Sequence, residues 1–163
     1  MKRLEVESIW RTLNTIEYNP EGKEQHRPPP FDMVRELEGL FDGADNSLIV
    51  PRRAASISSL QALFFLNSPH IKASAEKIAI RLHNTQKLTD DTARIRQAYR
   101  WFYSREATRN ELEAGQAFLK EWPVNAGKLQ PNRNKNAPEP VMLARWQAYL
   151  QALMATNEFL FVL

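Results

Sequence analysis

The sequence predicts an all-α domain, a compact bundle of about six or seven helices with irregular connections. Apolar residues recur at helical spacing in almost every segment, whereas the strict alternation that is typical of strands is nearly absent. The chain has 163 residues, 43% of them hydrophobic, which is enough for one domain with its own core. We therefore expect residues 1–163 to form a single helical domain, interrupted by a flexible loop at 123–140 that is rich in Asn, Pro and Lys.

Three helices are expected in the N-terminal part of the chain. An amphipathic stripe predicts the first over residues 3–17. The second is predicted over 32–42, where Gly43 provides a stop. The third, over 57–67, is apolar nearly all round, which is typical of a helix buried on most sides. It ends before Pro69 because the residue preceding a proline avoids the helical conformation.

The remaining helices carry clearer start signals. Thr89 is a potential N-cap, and Thr108 with Glu111 matches the capping-box pattern, in which side chain and backbone at a helix start bond reciprocally. The stripes that follow predict helices over 70–84, 90–104, 109–121 and 140–156.

The core is predicted from the same stripes, and the C-terminal tail is expected to dock against it. Five apolar residues end the chain at 159–163, and leaving such side chains in water forgoes about 1.5–3 kcal/mol for each that could be fully buried. The residues expected to be buried are Leu63, Phe64, Ile78, Tyr99, Leu119, Trp146 and Leu150.

Composition excludes several classes of function. With no cysteine, the chain has neither disulfides nor thiolate metal sites. The net charge of +3 is too balanced to require a polyanionic partner. No apolar stretch follows the basic N-terminal residues, so no signal peptide is predicted, and no run is long enough to span a membrane.

No catalytic residue, metal site or cofactor is predicted. The three histidines, His26, His70 and His83, do not have the spacing of a helical metal site. The sequence lacks the motifs of serine hydrolases and zinc proteases, and its five glycines are too scattered for a phosphate-binding loop. Adjacent carboxylates such as Asp90 and Asp91 do not face each other on a helix, which indicates solvated faces.

One segment suggests nucleic-acid binding as an alternative, because arginines interleaved with aromatic residues can contact phosphates and stack on bases. On a helical projection, however, these arginines fall on both edges of the apolar stripe, so their stems are expected to flank a core face. We therefore rank this alternative last. The residues concerned are Arg94, Arg96, Arg100 and Arg105, with Tyr99, Trp101, Phe102 and Tyr103.

A polar cluster surrounds the most hydrophobic predicted helix. Polar groups beside such a helix must find partners or lose about 1–3 kcal/mol each to desolvation. We favour a structural hydrogen-bond network over a ligand pocket. In this network one of the arginines forms two hydrogen bonds with an aspartate, and Asn67 bonds carbonyls at the end of the helix. The cluster consists of Asp42, Asp45, Arg52, Arg53, Gln61 and Asn67.

Several segments resemble a known family. LFDGADNS at 40–47 and PRRAASISSLQALFFLNSP at 51–69 are similar to two linked motifs of a planctomycete-specific domain of unknown function. KRLEVESIW at 2–10, RIRQAYRWFYSREATRNEL at 94–112 and LQALMATNEFLFVL at 150–163 resemble further segments of that domain. The family's usual Thr-Thr is replaced by Ala55-Ser56, and its Pro by Ala107.

The resemblance implies a setting rather than a reaction. This family forms the C-terminal part of large exported proteins that often also carry cytochrome-c-like domains, which implies the periplasm or cell surface. We therefore expect a non-catalytic helical module that docks onto other domains or proteins of an extracytoplasmic complex. The alternative is part of an enzyme or carbohydrate-handling site that other domains complete.

Overall fold

The computed structural model describes residues 2–3, 6–18, 28, 59–124 and 136–162, and these ranges confirm the all-α class. The predicted helix at 32–42 lies outside them, as does most of the predicted loop at 123–140. Seven helices occur in the described ranges: α1 (Val6–Tyr18), α2 (Ser59–Asn67), α3 (Pro69–Asn84), α4 (Asp91–Tyr103), α5 (Arg109–Glu121), α6 (Pro140–Met154) and α7 (Asn157–Leu160).

A short antiparallel pairing joins the two ends of the described chain. Strand β1 (Lys2–Arg3) pairs with β2 (Phe161–Val162), with Lys2 opposite Val162 and Arg3 opposite Phe161. The first helix was predicted from residue 3, but Arg3 belongs to this strand and the helix begins at Val6.

Two further predicted boundaries are wrong for local reasons. The N-cap of α4 is Asp90 and not Thr89, because the Asp90 carboxylate accepts a hydrogen bond from the Ala93 N–H at 2.8 Å. The helix predicted over 140–156 ends at Met154, and the chain turns before α7 starts. In that turn the Thr156 hydroxyl accepts from the N–H of Phe159 at 3.3 Å, which caps the new helix.

The core is centred on α3 and α6, the most extensively packed pair of helices. Ile78 of α3 and Trp146 and Leu150 of α6 are fully shielded from solvent. Of the seven residues predicted to be buried, six are, and Leu63 is the exception. The docked tail is confirmed as far as it is described, since Phe159 and Leu160 are buried.

Polar side chains fix the ends of several helices against the core. Arg81 of α3 donates to the carbonyl of Ile16 in the last turn of α1, where a positive charge interacts favourably with the helix dipole. The Arg81 guanidinium also lies 4.4 Å from the centre of the Trp101 ring, as in a cation–π contact. The capping box predicted at Thr108 and Glu111 is present at the start of α5.

Candidate functional site

Most of the polar cluster predicted around the most hydrophobic helix lies outside the described residues. This applies to Asp42, Asp45, Arg52 and Arg53, and to the side chain of Gln61. Asn67 is described, and it ends α2 with an exposed side chain whose Nδ2 donates to the Leu63 carbonyl at 3.0 Å. This bond is to a carbonyl one turn back inside the helix and not to one of its last four carbonyls, so the predicted network stays a prediction.

Helix α2 presents apolar residues both to the core and to solvent. Phe64 and Phe65 point inward, and the Phe65 ring makes an edge contact with Phe159 at 6.2 Å between centroids. Leu63 is 54% exposed and Leu66 is 45% exposed, so the predicted burial of Leu63 is wrong. The described neighbours α3 and α6 cover one side of a helix that carries apolar residues nearly all round. The exposed pair forms the outer face of α2.

Helix α2 is held in place by a polar residue of α6. The buried Gln151 donates through Nε2 to the carbonyls of Phe65, at 3.2 Å, and Leu66, at 3.0 Å. These carbonyls belong to the last turn of α2, where helical partners are missing. Together with the burial of Phe64 and Phe65, these bonds hold α2 against α6 with Leu66 on the exposed side.

Most arginines of the α4 region form ion pairs with carboxylates of the same chain. Arg94 pairs with Asp91 at 3.1 Å, and Arg100 pairs with Glu106 at 2.5 Å. Arg105 pairs with two glutamates. Three of the four arginines in the segment considered for nucleic-acid binding therefore have intramolecular partners, which favours the flanking role predicted for their stems over phosphate contacts.

The two carboxylates on Arg105 come from distant parts of the sequence. Its Nη1 and Nη2 donate to Glu111 at 2.9 and 2.7 Å, and Nη2 also donates to Glu158 of α7 at 2.7 Å. The guanidinium lies 5.2 Å from the centre of the Tyr99 ring. This Arg105 cluster, made of Arg105, Glu111 and Glu158, connects the α4–α5 turn to the C-terminal segment.

Hydrogen bonds in the Arg105 cluster favour the charged forms of Arg105 and Glu111. Hydrogen bonds from Arg105 lower the pKa of Glu111 to about 2, and bonds from the Thr108 N–H and hydroxyl act in the same direction. Hydrogen bonds to Glu111 and Glu158 raise the pKa of Arg105. Both shifts favour the ion pair between Arg105 and Glu111.

The described histidines do not form a metal site. His83 is half-buried, its Nδ1 lies 2.9 Å from the Ala79 carbonyl oxygen, and burial lowers its pKa. Across residues 59–124 and 136–162 and the described part of the N-terminus, no group of three His, Cys, Asp or Glu side chains could hold a metal ion. His26 lies outside the described residues.

Comparison with known proteins gives one family. Residues 20–119 match the model of the family described as PSD1, protein of unknown function (DUF1553), which is more than half of the chain. The chain belongs to the DUF1553 family. No curated protein and no solved structure shows significant similarity to it.

The DUF1553 match covers α2, α3, α4 and nearly all of α5, whereas α1, α6 and α7 lie outside it. The unmatched α6 nevertheless supplies the centre of the core, Trp146 and Leu150, and the bond from Gln151 to α2. Helix α2 of this DUF1553 protein, with its outer face, is therefore held in place partly by residues beyond the matched segment. Among the described residues, no helix is both long and apolar enough to cross a membrane.

Two important polar contacts of this DUF1553 protein were missed from the sequence. Gln151 was not singled out, although it interrupts the apolar stripe between Leu150 and Leu153, which is a usable signal for a buried amide. The bond between Arg105 and Glu158 spans 53 positions, and nothing in the local sequence indicates it.

Proposed function

We propose that this chain is a non-catalytic docking module, and that the outer face of α2 binds an apolar surface of another protein domain. The observation that carries the proposal is the exposure of Leu63, 54%, and Leu66, 45%, one helical turn apart. The helix that carries them, SLQALFFLN, has no charged residue. Exposed aliphatic side chains grouped on one uncharged helix are typical of a protein-binding surface.

The anchoring of α2 to the core supports this role. Its inner face packs through Phe64 and Phe65, and Gln151 bonds the carbonyls of its last turn. A preorganised face binds without first losing conformational entropy, which favours affinity. Because Leu63 and Leu66 are already about half buried, a partner that covers them completely gains about half of the usual 1.5–3 kcal/mol for each leucine.

The partner that we infer is another domain of a larger exported protein, or a protein of the same extracytoplasmic complex. This inference rests on the resemblance of the sequence to planctomycete proteins that carry cytochrome-c-like domains, and membership of the DUF1553 family is compatible with it. It would place the docking module in the periplasm or at the cell surface. The carbohydrate-handling alternative predicts instead that the chain binds a small ligand.

Site-specific photocrosslinking in the cells that produce the protein tests this proposal. A photoreactive phenylalanine at position 63 is expected to crosslink one discrete protein, and the same residue at position 113 of α5 is the matched exposed control. The crosslink should disappear when Leu66 is changed to Glu. Equal crosslinking from both positions, or none from position 63, would contradict the proposal.

A thermal-shift screen distinguishes the docking role from its alternatives. The purified chain is heated with sugars, short oligonucleotides or divalent metals, and the docking role predicts an unchanged melting temperature in each case. A ligand present at 100 times its dissociation constant stabilises by about 2.7 kcal/mol, so real binding would be visible. A reproducible shift with sugars would support the carbohydrate-handling alternative.

A further inference from the structure

The imidazole ring of His83 lies where α3, α4 and α6 meet. His83 belongs to the last turn of α3, and its ring makes an edge contact with Trp146 of α6 at 5.6 Å between centroids. The charged groups that act on the ring, Asp91 and Arg94, both come from α4. Because Trp146 is fully shielded from solvent, a change in the charge of the His83 ring acts at the centre of the core.

Hydrogen bonding fixes which nitrogen of this ring carries the proton. Nδ1 of His83 lies 2.9 Å from the carbonyl oxygen of Ala79, and a carbonyl oxygen only accepts, so Nδ1 is the donor. In the neutral ring Nε2 then carries a lone pair and no hydrogen. Within the described part of the chain, this Nε2 is shielded from solvent and has no hydrogen-bond partner. The closed junction therefore fits the neutral form of His83.

A second proton is unfavourable at this position. It would turn Nε2 into a shielded N–H donor without an acceptor, which folded proteins rarely contain. Burial lowers the pKa of His83 from its ordinary value of 6.5, although the bond to the Ala79 carbonyl opposes this effect. The charge of Arg94 also lowers this pKa, whereas Asp91, which pairs with Arg94 at 3.1 Å, raises it.

From this geometry we infer that His83 is an acid-sensitive switch at the junction of α3, α4 and α6, closed when the ring is neutral and opened when Nε2 is protonated. The inference is independent of the docking role of α2. In the open state water reaches the ring and supplies the acceptor that the closed junction lacks. The proton therefore binds the open state more tightly, and a fall in pH below 6.5 shifts the population towards it.

NMR of the histidine rings tests the protonation step. At pH 7.5 the ring of His83 is expected as the Nδ1–H tautomer, and the midpoint of its titration is expected below 6.5. Arg94→Gln should raise this midpoint, because it removes a cation that lowers the pKa of His83. The control Arg109→Gln removes a cation that is 89% exposed and should leave the midpoint unchanged. A midpoint at or above 6.5, the Nε2–H tautomer, or equal shifts in the two arginine variants would overturn the inference.

Amide hydrogen exchange, corrected for the intrinsic effect of pH, tests the opening itself. Between pH 7.5 and 5.5, an open state in which His83 has its ordinary pKa of 6.5 gains up to about tenfold in population over the closed state. Faster exchange is therefore expected in the last turn of α3 and the N-terminal half of α4, relative to α5 as an internal reference. An equal increase in α5, or no increase at the junction, would overturn the inference.

Two variants show whether His83 causes the opening. His83→Gln cannot be protonated in this range, so the increase in exchange at the junction should disappear. If this variant does not fold, His83→Phe takes its place, since it keeps an aromatic ring against Trp146 and has no titratable group. An increase at the junction as large as that of the wild type, in either folded variant, would overturn the inference.

Discussion

Glu111 takes part both in the cap of α5 and in the ion pair with Arg105. Its Oε2 accepts hydrogen bonds from the Thr108 N–H at 2.7 Å and from the Thr108 hydroxyl at 2.9 Å, while both of its oxygens bind Arg105. It therefore completes the capping box of α5 and neutralises the arginine that holds α7. Local capping and long-range docking depend on the same carboxylate.

Glu111→Gln should lower the free energy of unfolding at neutral pH by about 1–2 kcal/mol, because it removes a charge-assisted pair and weakens the cap. Urea denaturation measures the loss. The control is Glu113→Gln, which breaks only the exposed pair with Arg109 and should change stability by less than about 0.5 kcal/mol. Equal losses in the two variants would contradict this role for Glu111.

The pH dependence of stability follows from the same carboxylate. The pKa of Glu111 is about 2 in the folded chain and 4.5 in its ordinary state, so its ionisation stabilises the fold above pH 4.5. This contribution should be lost progressively as the pH falls from 4.5 towards 2. Compared with the wild type, Glu111→Gln should lose less stability over that range in pH-dependent urea melts. Parallel pH profiles of the two proteins would contradict the assignment.

At the scale of elements, α5 and α6 approach closely at Gly115. A Cβ built at this position would lie 2.6 Å from the Tyr149 hydroxyl oxygen and 3.1 Å from Cδ1 of Ile95. The Tyr149 ring cannot easily move away, because it packs against Phe118 and Trp146 with centroids 5.5 and 5.7 Å apart. The glycine is therefore required by packing, even though it sits inside a helix.

Gly115→Ala should destabilise the chain by about 1–2 kcal/mol, since overpacking outweighs the roughly 1 kcal/mol that alanine gains in helix propensity. Thermal and urea denaturation measure the difference. Tyr149→Phe in the same chain removes the closest contact and should recover part of the loss. A net gain in stability from Gly115→Ala alone would show that the two helices are free to separate here.

Helix positions could be predicted from the sequence because spacing and caps are local signals. The start of α5 follows directly from the capping box at Thr108 and Glu111, and its end from Pro123. The exposure of Leu63 could not be predicted, because an all-apolar helix does not indicate which side faces solvent. That side follows from the packing of Phe64 and Phe65 on distant helices and from the bonds that Gln151 donates to α2 from more than 80 residues away. Which side of an apolar helix is exposed depends on its tertiary contacts, and the local sequence does not contain that information.

At the scale of the whole molecule, the C-terminal segment closes the described fold. Phe159 is buried and makes edge contacts with Phe65 at 6.2 Å and with Phe102 at 5.5 Å. The hydroxyl of Tyr103 donates to the Leu153 carbonyl at 2.9 Å, and burial raises the pKa of this phenol. Together with the pairing of β1 and β2, these contacts make the tail part of the core.

Deletion of residues 159–163 should therefore lower the melting temperature clearly. The point variant Phe159→Ala should cost about 3–5 kcal/mol, the usual range for removing a buried aromatic ring. Differential scanning calorimetry and urea melts measure both effects. Replacement of the exposed Gln86 by Ala serves as the control and should be nearly neutral. An unchanged melt after the deletion would show that the tail is not docked in solution.

The docking role requires that the leucines on the outer face of α2 contribute little to the stability of the chain itself. The free energy of unfolding of the double variant Leu63→Gln/Leu66→Gln measures this directly. Because these leucines are 54% and 45% exposed, the variant should retain the wild-type value to within about 1 kcal/mol. A loss above about 3 kcal/mol, the scale of a core leucine, would show that the chain itself buries this face and would contradict the docking role.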